Sequence, residues 1–197
     1  SGATYMDGTT DITRTYPLGP LSEDEKRFYT WTLQSHIDLA KAVWLDYCEC
    51  KMIDTIAREP LWRHLINYRC GTGHSVSFVG NVHEGPHALN SRNTTRMRPG
   101  MIVTDEPGVY ETDLVGIRIE NELVCVHKAD NQYGTFLGFE PLMFVPIATS
   151  PILPGVLDKD EIAWLNDYHR QVFAKLAPHL NAEERVWLAE KCASIGC

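Results

Sequence analysis

Residues 70–87 read "CGTGHSVSFVGNVHEGPH", which sets three histidines (His74, His83, His87), one acid (Glu84), one thiol (Cys70) and four glycines side by side. Surface loops rarely carry so many imidazoles, and core strands rarely carry so many glycines. Three readings compete: a metal site, a nucleophile site, or a glycine-rich turn with histidines nearby by accident. His74 follows Gly71-Thr72-Gly73, whose small residues let the backbone approach a bound group closely. His83 precedes Glu84-Gly85-Pro86, which reads as a tight turn fixing its direction. A lone histidine is more often a hydrogen-bonded structural residue than a ligand, so neither decides the matter alone. Cys70 beside a histidine can imitate a thiol enzyme, but nothing in the sequence orients the pair. No G-x-S-x-G offers a serine nucleophile instead.

Further out lie the acids. In "DGTTDITRT", Asp7-Gly8 reads as an Asx-type turn, whereas Asp11 stands among strand formers and needs a partner. Glu106 precedes Pro107-Gly108, so it sits at a strand end with its direction set by the turn. In "VGIRIENELVCV", Ile117 and Ile119 face one way, Arg118 and Glu120 the other. An acid on an inner face is costly unless it is paired or bound to metal, and the plainer alternative is an Arg–Glu surface ladder. Taken together, Asp11, His74, Glu106 and Glu120 are oxygen-rich with one imidazole. Such a set suits a hard or borderline divalent ion such as Mn²⁺ better than a thiolate-bound structural zinc. Carboxylates that bridge also admit two ions roughly 3.5–4 Å apart, the arrangement of dinuclear hydrolases.

The framework around these residues is legible from caps and periodicity. Ser22 and Glu25 form a capping box, and apolar positions 28, 33, 37, 40 and 44 predict one long helix running to Leu45. A shorter helix over 51–58 is expected to stop at Pro60. Residues 101–104 and 115–128 read as strands, and the chain from Phe136 is strand-like until prolines interrupt it. Asp158 with Glu161, and Asn181 with Glu184, open two last helices, the second ending near Gly196. One compact α+β unit is expected.

The chain has 197 residues and a net charge of −8, which argues against a nucleic-acid or anionic-membrane partner. No apolar run reaches the length of a membrane span, and no leader opens the sequence. Its six cysteines show no CxxC pair, so reduced thiols in a cytoplasmic protein are expected, and Cys48-x-Cys50 reads as a stray pair at a helix end. Asn93-Thr94-Thr95 is read as a chance sequon.

The segments "DGTTDITRT", "GTGHSVSFVGNVHEGP", "DEPGVY" and "GIRIEN", in this order and spacing, resemble the catalytic domain of the Xaa-Pro aminopeptidase (aminopeptidase P) family. The C-terminal "EIAWLNDYHRQVFAKLAPHL" and "WLAEK" resemble the extension of its long members. The resemblance implies the pita-bread (creatinase/aminopeptidase) fold, of class α+β. Residues 1–150 would be the metallopeptidase domain, lacking its N-terminal strand and helix, and 151–197 a C-terminal helical extension. It further implies two divalent ions, Mn²⁺ first, with Zn²⁺, Co²⁺ or Fe²⁺ as alternatives. Asp11, His74, Glu106 and Glu120 would be metal ligands, four of the family's five. The remaining aspartate would fall just before Ser1, so the chain alone is expected to bind metal weakly. Glu106 would also be the general base acting on a metal-bridging hydroxide. His83 would steady the tetrahedral intermediate or shuttle protons, with Tyr110 and Arg118 beside the Glu120 site, while His87 would have no chemical role. Implied partners are proline-containing peptides, and a second copy of the chain in a homodimer. Three departures stand out: the absent aspartate, Cys70 where the family has a pocket histidine, and Ser75 and Ser77 in place of glycines. They keep two other readings open, a catalytically impaired peptide- or protein-binding module and an Xaa-Pro dipeptidase (prolidase).

Overall fold

The computed structural model describes residues 2–196. Cys197 lies outside them, and the five described cysteines carry free thiols. The chain opens with a hairpin of β1 (Gly2–Tyr5) and β2 (Gly8–Asp11), paired from Gly2↔Asp11 to Tyr5↔Gly8. Met6 and Asp7 make the turn, so of the two nearby acids only Asp11 lies in a strand.

Helix α1 (Glu23–Ala40) starts at the expected box: Ser22 Oγ accepts from Glu25 N–H, and the Glu25 carboxylate accepts the Ser22 N–H. It ends short of the predicted Leu45, because Val43–Leu45 form a separate strand, β3. A β-branched residue and an aromatic gain more in a sheet than in a last helical turn. There Trp44 packs on Phe139 with ring centroids 4.5 Å apart.

Helix α2 (Cys50–Trp62) runs through Pro60 rather than stopping before it. Proline forfeits one hydrogen bond near the helix end. Continuing for the last turn buries both Pro60 and Leu61.

β4 (Gly73–Ser75) pairs with β5 (Glu84–Leu89), so Glu84-Gly85-Pro86 begins a strand instead of forming the expected tight turn. β6 (Ile102–Asp105), β7 (Gly108–Glu111) and β8 (Val115–Arg118) follow, then the long β9 (Asn121–Asn131) and β10 (Gly134–Pro141). The predicted single strand over 115–128 is thus two strands with different partners: β8 pairs with β7, and β9 lies between β10 and β6. The four-stranded sheet has the order β3-β10-β9-β6.

Two capping boxes start α3 (Lys159–Leu176) and α4 (Ala182–Lys191), at Asp158 and Asn181. The last helix stops at Lys191, earlier than the expected Gly196. One core joins Leu39, Ile53, Val103, Leu123 and Phe139 between the helices and the sheet. Another joins Leu33 and Ile37 of α1 to Ile117, Ile119, Leu165 and Val172. Helix α1 contributes to both, and so ties α3 to the strands that flank Glu106 and Glu120.

Candidate metal centre

The site assembles where β2, β4, β6 and the β8–β9 junction meet. Gly73 is required there: a Cβ at this position would lie 1.8 Å from the Thr104 carbonyl oxygen. Only glycine lets β4 approach β6 closely enough to place His74 beside Glu106. Thr104, fully buried, links the two. Its hydroxyl accepts the His74 N–H at 2.9 Å and donates to Glu106 Oε1 at 3.0 Å. The Thr72 carbonyl accepts the Glu106 N–H at 2.8 Å and fixes the backbone beyond.

His74 Nδ1 faces the Ser75 carbonyl at 3.1 Å, so that nitrogen carries the proton and Nε2 presents its lone pair. Nε2 lies 3.1 Å from Glu106 Oε1 and 3.5 Å from Asp11 Oδ2, but in alignment for a hydrogen bond with neither. Donor atoms of His74, Glu106 and Glu120 lie within 4.8 Å of one another, and so do those of Asp11, His74 and His83. The His83 ring lies against His74, tilted by 52° with ring centroids 3.9 Å apart. Arg118 completes the wall: Nη1 is 3.8 Å from Glu106 Oε2, and Nε is 3.7 Å from Glu120 Oε2. Asp11, His74, His83, Glu106 and Arg118 line an open cleft of about 930 Å³, as does Cys70, with Glu120 buried behind it. Tyr110 is half-exposed and interacts with Arg118. His87 turns away and contacts the Ile102 carbonyl at 2.7 Å.

The electrostatics favour a cation. Burial, with the nearby Glu106 and Asp11 charges, pushes the Glu120 carboxyl up to about 7 against the Thr13 hydroxyl bond. Burial also raises Glu122 to about 7, although it accepts the Asp11 N–H. His74 shows the complement: burial opposes its charged form, yet Glu106, the Ser75 carbonyl and Asp11 hold its pKa above the ordinary value. Arg118 behaves alike, with burial outweighed by Tyr110, Glu120 and Glu106. Acids crowded around a shielded imidazole are what a divalent ion stabilises. His74 Nε2 and Glu120 Oε1 are buried without hydrogen-bond partners. Each such atom costs about 1–3 kcal/mol unless satisfied, so this donor set fits a metal.

Thus the structure brings together Asp11, His74, His83, Glu106, Arg118 and Glu120, with Tyr110 at the margin. Sequence reasoning missed Thr104, Thr13 and Glu122. Only Glu122 left a signal: it lies two residues beyond Glu120, on the same face of an extended chain.

Residues 1–127 match the model of metallopeptidase family M24, and residues 135–195 match the C-terminal region of that peptidase family. Aminopeptidase P1 of Lotus japonicus is 42% identical over 100% of this chain, which spans 30% of that relative's length. The chain is similar to a Caenorhabditis elegans X-prolyl aminopeptidase, described as a cytosolic enzyme with a di-nuclear active site. The TM-score is 0.93 at 38% identity, covering 98% of this chain and 32% of that one. A prolidase from Pyrococcus furiosus gives a TM-score of 0.61 at 28% identity, over 72% of this chain and 39% of its own. With its motifs, α+β pita-bread fold and carboxylate–histidine cluster, the chain belongs to metallopeptidase family M24.

Proposed function

We propose that this chain is the catalytic portion of a metal-dependent aminopeptidase that releases the N-terminal residue from peptides with proline in second position. The observation that carries the reading is the cluster of His74, Glu106 and Glu120 donors, adjoining Asp11, with its unpartnered buried atoms. Asp11, His74, Glu106 and Glu120 would hold two divalent ions. The carboxylate-rich set favours Mn²⁺, and Zn²⁺, Co²⁺ or Fe²⁺ also suit it. When bound, the ions supply Lewis-acid activation of water and of the peptide carbonyl. Glu106 takes the proton of the attacking water, held in line by the Thr104 hydroxyl. His83, exposed in the cleft, donates toward the carbonyl oxygen as it gains charge. Arg118, with Tyr110 beside it, sets a positive charge 3.8 Å from Glu106 Oε2 and 3.7 Å from Glu120 Oε2 and so holds the two side chains in place.

Residues 1–150 are read as the metallopeptidase domain and 151–197 as its C-terminal extension. The relatives named for aminopeptidase P or X-prolyl aminopeptidase match essentially the whole chain, whereas the prolidase match covers 72% of it. That difference favours an aminopeptidase over a dipeptidase. The four donors Asp11, His74, Glu106 and Glu120, together with His83, disfavour a binding module that has lost catalysis. A cytoplasmic location follows from likeness to an enzyme described as cytosolic, and homodimerisation from the family resemblance. No nucleic-acid or membrane partner is proposed. The chain carries a net charge of −8, and no helix among the described residues is long and apolar enough to cross a membrane.

The test is cleavage of a tripeptide with proline second, in the presence of Mn²⁺, by the protein and by its Glu106→Gln variant. Loss of a general base lowers turnover by about 10²–10⁴-fold. Turnover unaffected by Glu106→Gln, or none in the unsubstituted protein, would sink the proposal.

A further inference from the structure

Behind the donor cluster runs a buried polar chain that the proposed reaction leaves unused. Asp105 and Asn121 are direct cross-strand neighbours on β6 and β9, one residue before Glu106 and one after Glu120. Both side chains approach the fully buried His36 ring of α1. Asp105 Oδ2 lies 3.0 Å from Nδ1, and Asn121 Nδ2 lies 3.3 Å from Nε2. On its other side the Asn121 amide meets Arg14, whose Nη2 donates to Oδ1 at 2.8 Å. The same guanidinium donates to the Glu120 carbonyl and, at 2.8 Å, to the hydroxyl of Tyr168 on α3. That hydroxyl also accepts the Val145 N–H at 3.2 Å.

The donors and acceptors run one way along this chain. A guanidinium has donors only, so Asn121 must offer it Oδ1 and turn its NH₂ toward His36. His36 Nε2 then accepts and its proton sits on Nδ1, which lies at ion-pair distance from the Asp105 carboxylate though not in hydrogen-bond alignment. The preferred tautomer of a core histidine in α1 is thereby set by an arginine on the other side of the Asn121 amide.

We infer that Arg14, Asn121, His36 and Asp105 form a positioning relay that holds the two strand ends bearing Glu106 and Glu120. Tyr168 of the C-terminal helix α3 anchors it. The inference rests on the metal reading above. None of the four touches the donor cluster with its side chain; they act through the backbone that presents the glutamates. The C-terminal helix thereby becomes a support for the metal centre as well as a cover for the core.

The experiment is a titration of the metal-free chain with Co²⁺, followed by its visible absorption, together with denaturant unfolding. Asn121→Ala and Tyr168→Phe are compared with Leu188→Ala, which opens a cavity under α4 in the same core and whose apolar side chain makes none of the relay's hydrogen bonds. Expected are Co²⁺ affinities about 10-fold weaker in the two relay variants, the lower end of the effect of groups that orient metal ligands. Leu188→Ala should lose stability and keep the affinity of the unsubstituted chain. Unchanged affinity in both relay variants overturns the relay and leaves the metal reading intact. An equal loss in Leu188→Ala also overturns it, since affinity would then follow general stability. No Co²⁺ binding by the unsubstituted chain overturns the metal reading and the relay with it.

Discussion

Thr104 is the smallest group on which the site depends. A single hydroxyl serves His74 N–H and Glu106 Oε1 at once. Thr104→Val keeps the shape and removes both bonds. It leaves a buried N–H unpaired at a cost of about 1–3 kcal/mol, and it should weaken metal binding by about 10–100-fold, as for other groups that orient ligands. Thr104→Ser keeps the hydroxyl and should restore most of the affinity in a Mn²⁺ or Co²⁺ titration. Equal affinity in the valine and parent proteins would show that the hydroxyl does not orient Glu106. The sequence marked Glu106 by the Pro-Gly that follows it, yet nothing marked Thr104 among the threonines of the chain. Its role depends on β4 lying against β6, which brings it to a residue thirty positions away.

Among the elements, α3 illustrates how cap and packing divide the work. Its start was legible, because a capping box is built from residues three apart. Its place against α1 was not, because that is set by which apolar side chains meet. Asp158→Ala removes the cap and should cost about 0.5–2 kcal/mol. Leu165→Ala, in the fully buried seam, should cost about 2–5 kcal/mol. Denaturant midpoints that reversed this order would mean that the cap, rather than the seam, holds α3. The misjudged boundaries follow the same logic. Trp44 fits the apolar stripe of α1, but sheet pairing with β10 outweighs another helical turn. Pro60 reads as a stop, but burying Leu61 outweighs one lost hydrogen bond.

At the scale of the whole molecule, the buried acids make stability depend on pH. Burial raises Asp38 and Asp105 to about 6, and Glu120 and Glu122 to about 7. For an acid whose folded pKa is raised, the folded chain keeps a proton that the unfolded chain has released. The stabilisation is full below the unfolded pKa and is lost as pH rises toward about 7. His74, also raised, adds to the same trend. His169 opposes it: burial and Arg14 lower it to about 4, so its contribution is lost as pH falls. Four acids and one histidine outweigh one histidine, so the metal-free chain should be less stable at about pH 8 than at about pH 5 in denaturant unfolding. Divalent ions should reduce the difference, because they bind the ionised carboxylates. Stability rising with pH in the metal-free chain would contradict the burial of these acids. By itself, the sequence determined local devices: the caps, a turn that includes Asp7, and the alternation that turns Ile117 and Ile119 inward. Its motifs also carried the family, because propensity, capping and motif spacing act over a few residues. Only the tertiary structure decided which polar groups meet. Asp11 finds Glu122 across 111 positions and Arg14 finds Tyr168 across 154, and such pairings exist only once both cores have closed around α1.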